Sequence, residues 1–141
     1  MSPRRATVQV VDASAIVAAL LDDGPDGRWV EDRLVEADLV APHLMPFEVA
    51  DIVRRTAARG AIDATAGAQA VRDLADLAVD LVAFDRVADR VWELRRNLTA
   101  YDASYVATAE RLGTRLVTLD ARLASASGIG CEVLVAPREA P

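Results

Sequence analysis

Lysine is absent from this chain, so all sixteen basic side chains are arginine, which we read as coding bias. Cysteine occurs once, as Cys131. That excludes a disulfide framework or a cysteine zinc site within one chain, and points to a reducing, cytoplasmic setting. Histidine also occurs once, as His43. A two-histidine zinc site is therefore excluded, and a Ser–His–Asp triad has no support. Following Pro42, His43 reads as a surface or turn residue. Long hydrophobic runs are missing too. The basic start, Met1-Ser2-Pro3-Arg4-Arg5, leads into an apolar stretch broken by Asp12 and again by Asp22-Asp23. The expectation is neither a secretion signal nor a membrane span. Finally, the chain lacks an excess of positive charge. Its net charge is −6, unlike the basic footprint of most nucleic-acid binders. Setting four acids aside as metal ligands brings that balance close to neutral, so whole-chain charge does not decide the matter.

What is present is apolar and regularly spaced. Hydrophobic residues make up 52% of 141, enough for one domain over 1–141 with a core that needs no staples. There is no repeat, low-complexity segment or internal linker. Val8 to Val11 is an apolar, β-branched run that reads as a buried strand. Asp12 ends it, and residues 14–21 read as a helix, with Ser14 a possible cap. Asp22 to Gly27 is a breaker cluster. A helix is expected over 28–37, a strand over 39–41 and a helix over 44–59 with Gly60 behind it. Asp63 or Thr65 would cap a helix over 64–78. Residues 79–84 alternate and predict a strand at or near the sheet edge. Residues 86–97 and 103–112 predict helices, the second opened by Tyr101-Asp102 and closed by Gly113. Leu116–Leu119 predicts a strand, residues 121–126 a short helix and 132–135 a last strand, with a loose tail from Pro137. Strands alternating with helices at this spacing predict an α/β domain with a mainly parallel sheet covered on both faces.

Four acids stand out by position. Asp12 and Asp120 each follow a strand, Glu48 lies early in a helix behind a strand and Pro42, and Asp102 begins a helix. Strand ends and the following helix starts share one edge of such a sheet, where ligands bind. Carboxylates gathered there repel, and their ionised forms need a cation or must take up protons. A donor set of oxygens without Cys or His suits Mg²⁺ or Mn²⁺. Such ions commonly orient phosphate, activate water and stabilise a leaving oxyanion. Each acid also has a plainer explanation. Asp120 can be a helix cap, Asp102 stands three residues after Thr99 as in a capping box, and Glu48 can be an exposed helix acid. Asp12 is the hardest to explain that way, because a cap needs no strand so apolar before it. Thr118 can bond a ligand or simply serve its strand. Trp29, Phe47, Trp92 and Tyr105 fall in helical patterns and read as core or interface. Arg54, Arg55 and Arg59 read as a solvated face.

Four segments together resemble a known family. Val10-Val11-Asp12-Ala13-Ser14, Pro46-Phe47-Glu48-Val49, Tyr101-Asp102-Ala103-Ser104-Tyr105-Val106-Ala107 and Leu116-Val117-Thr118-Leu119-Asp120 resemble, in order, the PIN-domain nucleases. Within these they are similar to the VapC-like toxins of bacterial toxin–antitoxin pairs. The resemblance implies an α/β/α sandwich and Mg²⁺ or Mn²⁺ held by Asp12, Glu48 and Asp102, with Asp120 completing the cluster. It further implies endoribonuclease activity, a homodimer, and an antitoxin that inhibits by inserting an arginine near the metals. Ser14, Thr118 and Asp51 are the candidates for supporting roles. Asp51 departs from the many relatives with Asn there, and shares a helix face with Glu48. The expected reaction is metal-dependent hydrolysis of an RNA phosphodiester. The alternative is a non-catalytic PIN-like binding module. A phosphoacceptor receiver domain is excluded by the missing lysine. An Asp-x-Asp phosphotransferase is disfavoured, because Ser14 stands where the second Asp would be.

Overall fold

A computed structural model describes residues 7–137. Residues 1–6 and 138–141, and with them the basic start and most of the tail, lie outside the described residues. The chain runs β1 (Thr7–Val11), α1 (Ala13–Leu21), α2 (Pro25–Leu34), β2 (Ala37–Pro42), α3 (Met45–Ala58) and α4 (Ala64–Asp76). It continues as β3 (Val79–Val82), a 3-10 turn (Phe84–Arg86), α5 (Ala88–Glu93), α6 (Ala100–Leu112), β4 (Leu116–Thr118), α7 (Ala121–Ser125) and β5 (Val133–Val135). The strands form one parallel sheet in the order β3-β2-β1-β4-β5. Helices α1 to α4 pack together on one face, while α5 and α6 pack together with α6 lying across β1, β2 and β4. The result is a three-layer α/β/α sandwich, as the alternation of elements predicts.

Burial follows the sequence pattern. β1 is central, and its apolar end, Val10 and Val11, is fully enclosed. α6 is buried continuously from Ala103 to Ala109, which its small residues allow between the sheet and α5. Gly113 ends α6 with φ 62, a left-handed conformation that costs glycine least. β3 lies at the sheet edge, as its alternation predicts. Arg90 ties the last loop down: its guanidinium donates to both oxygens of Glu110 and to the Gly128 carbonyl. Among the described residues no helix is long and apolar enough to cross a membrane.

Several boundaries differ from the sequence reading, each for a local reason. α2 starts at Pro25 rather than 28, because proline fits the first helical position and needs no donor there. Leu34 ends it, ahead of Glu36 in the left-handed region at φ 59. The helix expected over 86–97 is a 3-10 turn and a short α5. Beyond Glu93 the chain turns repeatedly, with Asn97 donating to the Ser127 carbonyl at 2.9 Å. Ser14 does not cap α1; Asp12 does, accepting from the Ala15 N–H. Phe47 and Trp92 are not core, being 80% and 68% exposed. Their helices present them to solvent. His43 lies in an exposed turn.

Candidate active site at the β1–β4 edge

β1 and β4 are neighbours, and the sheet runs outward from them in opposite directions. That reversal opens a crevice beyond the strands' carboxyl ends. Val11 pairs with Val117, and the Asp12 N–H donates to the Val117 carbonyl at 3.1 Å. Asp12 therefore emerges beside Thr118 and two residues' reach from Asp120.

Asp12 is only 6% exposed, and both its oxygens are held. Oδ1 accepts from the Ser14 hydroxyl at 2.6 Å and from the Ala15 N–H at 3.1 Å, and Oδ2 accepts from the Thr118 hydroxyl. Each hydroxyl has one proton, and both are spent on Asp12. Their lone pairs then take the N–H groups just past β4: Ser14 Oγ accepts from Leu119 at 3.0 Å and Thr118 Oγ1 from Asp120 at 2.9 Å. Two hydroxyls from β4 and α1 thus fix one carboxylate to both halves of the sheet. Burial nevertheless pushes the Asp12 carboxyl above its ordinary range, against three hydrogen bonds that favour ionisation. The negative charge of Asp102 adds to the rise.

Glu48 stands in the first turn of α3. Tyr105, buried in α6, donates its hydroxyl to Oε1 at 3.0 Å. Burial raises the Glu48 carboxyl, and the charges of Asp102 and Asp12 raise it further. Asp102 sits in the first turn of α6, where the Thr99 hydroxyl caps its N–H at 3.2 Å. Burial raises it too, then the charge of Asp120, with Arg122 opposing. Asp120 caps α7 through the Arg122 N–H at 3.0 Å, and the Arg122 guanidinium holds it below the usual carboxylate range.

The geometry brings Asp12, Glu48 and Asp102 into one another's fields, and joins Asp120 through Asp102. Among the described residues, none of the first three has an ion pair. Nor do any three acidic, His or Cys side chains there enclose a point fit for one cation. Asp120 is turned onto Arg122, and both Asp12 oxygens are bound. Asp51 does not join them. Its carboxylate is exposed and pairs with Arg54 at 2.7 Å and Arg55 at 3.4 Å. Two residues escaped the sequence reading. Tyr105 reads as core from its spacing, and it is core, but its hydroxyl also positions Glu48. Arg122 lies two residues past a strand-end acid, and that spacing is the one signal it gave.

The raised acids fix a pH dependence. Asp12, Glu48 and Asp102 hold protons in the folded state over a window that opens near 3.8 to 4.5 and extends upward. Across that window the folded state binds more protons than the unfolded chain, so stability falls as pH rises. Asp51, Glu110 and Asp120, all lowered, act oppositely and only at lower pH. The metal-free protein in chelator is expected to melt higher at mildly acidic pH than at neutral pH. A melting temperature that rises steadily toward neutrality would contradict the raised carboxyls of the three acids.

Residues 10–129 match the family model of the PIN domain. The chain belongs to the PIN-domain family. Within this family it resembles a VapC ribonuclease of Mycobacterium bovis, at 44% identity over 130 residues, covering 92% of this chain and 98% of the relative. Ribonuclease VapC1 of Mycobacterium tuberculosis is 38% identical over 126 residues, covering 88% and 94%. Among solved structures of the family's fold, PAE2754 from Pyrobaculum aerophilum superposes with a TM-score of 0.64 at 27% identity, covering 91% of this chain and 83% of that one. The kinship is thus to VapC proteins of the PIN family, along nearly the whole chain.

Proposed function

We propose that this chain, acting as one PIN-like domain, is a divalent-metal-dependent endoribonuclease and the toxin of a toxin–antitoxin pair. One observation carries the reading. Asp12, Glu48 and Asp102 converge at the sheet's switch point, each carboxyl is raised chiefly by burial, and among the described residues none of the three has an ion pair. Kinship with ribonucleases of the VapC type supplies the substrate class.

The donor set fits hard divalent cations such as Mg²⁺ or Mn²⁺, which prefer oxygen ligands. Asp12, Glu48 and Asp102 would hold them, with Asp120 completing the set. A cation there would supply positive charge to an RNA phosphate and to the oxygens that attack and leave phosphorus. The chain's own residues do the positioning. Ser14 and Thr118 keep Asp12 in one orientation, and Tyr105 fixes Glu48 through Oε1 and leaves Oε2 unengaged by it. Neutralising the acids also lets a chain of net charge −6 accept a polyanion. We further propose a homodimer, a cytoplasmic setting and a protein antitoxin as inhibitor. Exposed Phe47, next to Glu48, offers such a partner an apolar foothold beside the site. Cys131 suits a reducing compartment: it is a free thiol, half-buried, pushed up to about 11 by burial, and so unreactive.

The test is cleavage of a total RNA pool by the purified protein. Fragments are expected with Mg²⁺ or Mn²⁺, and none with chelator. Cleavage that survives chelation removes the metal from the mechanism, and no cleavage under any metal removes the ribonuclease reading.

A further inference from the structure

We propose that Arg122 is the site's resident counter-ion: it occupies Asp120 until a divalent cation takes that carboxylate, and then carries its charge to the substrate phosphate. The phosphate half rests on the nuclease reading above; the cation half does not.

Among the described residues Asp120 is the one member of the acidic set with an ion pair, and Arg122 is its partner. The contact is a fork, Nε to Oδ1 at 3.1 Å and Nη2 to Oδ2 at 2.7 Å. Both oxygens that would face a cation are therefore engaged by a guanidinium. The same charge acts on Asp102, so Arg122 partly neutralises two of the four acids. Together with the donors that engage both Asp12 oxygens, this leaves a set of acids that share a field without enclosing a cation.

The residue is built to leave. Its main chain is pinned, since its N–H is capped by Asp120 and the adjacent Leu123 is buried. Its side chain is 86% exposed. Among the described residues its guanidinium has no hydrogen-bond partner besides Asp120. Exposed ion pairs of this kind are weak, so a cation displaces it at little cost. Once displaced, it swings from a fixed point at the rim of the acidic edge. Its fork matches a phosphate as well as a carboxylate, and it stays charged at any working pH. With no lysine in the chain, only arginines can play this part.

Two measurements decide it. Metal-free protein is titrated with Mn²⁺ alone by calorimetry. Arg122→Ala and Arg122→Gln are expected to bind Mn²⁺ about 2- to 5-fold more tightly than wild type, since the competitor is gone. Equal or weaker affinity overturns the counter-ion role, and this titration needs no RNA or activity. In cleavage assays the same variants are expected to raise KM about 10-fold with kcat little changed. The dependence of KM on salt should become shallower by about 0.7 in the logarithmic slope, and Arg122→Lys should recover part of both. An unchanged KM and salt slope overturns the phosphate role. Wild-type protein that cuts no RNA would instead sink the nuclease reading, leaving the Mn²⁺ titration to judge Arg122. The side chain is exposed, so all variants are expected to melt with wild type, which melting curves check.

Discussion

Asp12→Asn is expected to keep its fold and lose RNA cleavage by at least about 100-fold, since even residues that merely orient metal ligands cost about 10- to 100-fold. Asparagine retains an oxygen for the Ala15 N–H and caps a helix as well as aspartate does. That oxygen also keeps the Ser14 hydroxyl satisfied. The amide nitrogen then faces Thr118, whose oxygen has a lone pair to spare beyond the one taken by the Asp120 N–H. What disappears is the charge, and burial already disfavours that charge. In chelator the variant should therefore melt within a few degrees of wild type. Asp12→Ala makes the contrast. It removes the cap, at about 1 kcal/mol, and strands the fully buried Thr118 hydroxyl, so it should melt clearly lower. Melting curves in chelator, Mn²⁺ titration and RNA cleavage separate the two effects. Undiminished cleavage by a well-folded Asp12→Asn protein would take Asp12 out of the site.

Gly27→Ala is expected to cost about 3 kcal/mol or more and to lower the melting temperature by about 10 °C. A methyl group at Gly27 would stand 1.8 Å from the Asp22 carbonyl oxygen, 2.8 Å from its carbon and 3.0 Å from the Ala18 oxygen. All three atoms are backbone at the end of α1, and the Asp22 N–H to Ala18 carbonyl bond, at 2.9 Å, lies in the same place. No side-chain rotation relieves the clash; α2 has to move off α1. The sign makes the experiment sharp. In an ordinary helix interior, alanine is better than glycine by about 1 kcal/mol. A stabilised Gly27→Ala protein would mean that α2 packs elsewhere.

The four acids were legible because each interrupts an apolar pattern at a strand end or helix start, where a core has no use for charge. Their support was not. Ser14 and Thr118 meet across 104 positions, and no local pattern announces that two ordinary hydroxyls will share one carboxylate. Asp12 proved to be both a helix cap and a member of the acidic set, two readings that looked exclusive in sequence and are compatible in space. Asp51 shows the reverse. Sharing a helix face with Glu48 told nothing about Arg54 and Arg55, which claim it first. Periodicity placed Tyr105 correctly in the core but overplaced Phe47 and Trp92, because spacing marks a helical face without saying what covers it. Pro25 to Gly27 read as a break for an analogous reason. Proline and glycine are helix breakers in general, yet here one suits the first helical position and the other permits a close helix crossing.

The hydroxyl bridge between the two halves of the sheet also bears on synthesis. Thr118 reaches Asp12 across 106 positions, and β1 lies between β2 and β4. Until Asp120 has left the ribosome, β1 has no partner on one side, and Asp12 lacks Thr118. Translation at about 5–20 residues per second therefore separates the first acid from the last by several seconds. Throughout that interval the growing chain holds only part of its acidic set, beside the RNA-rich machine that is making it.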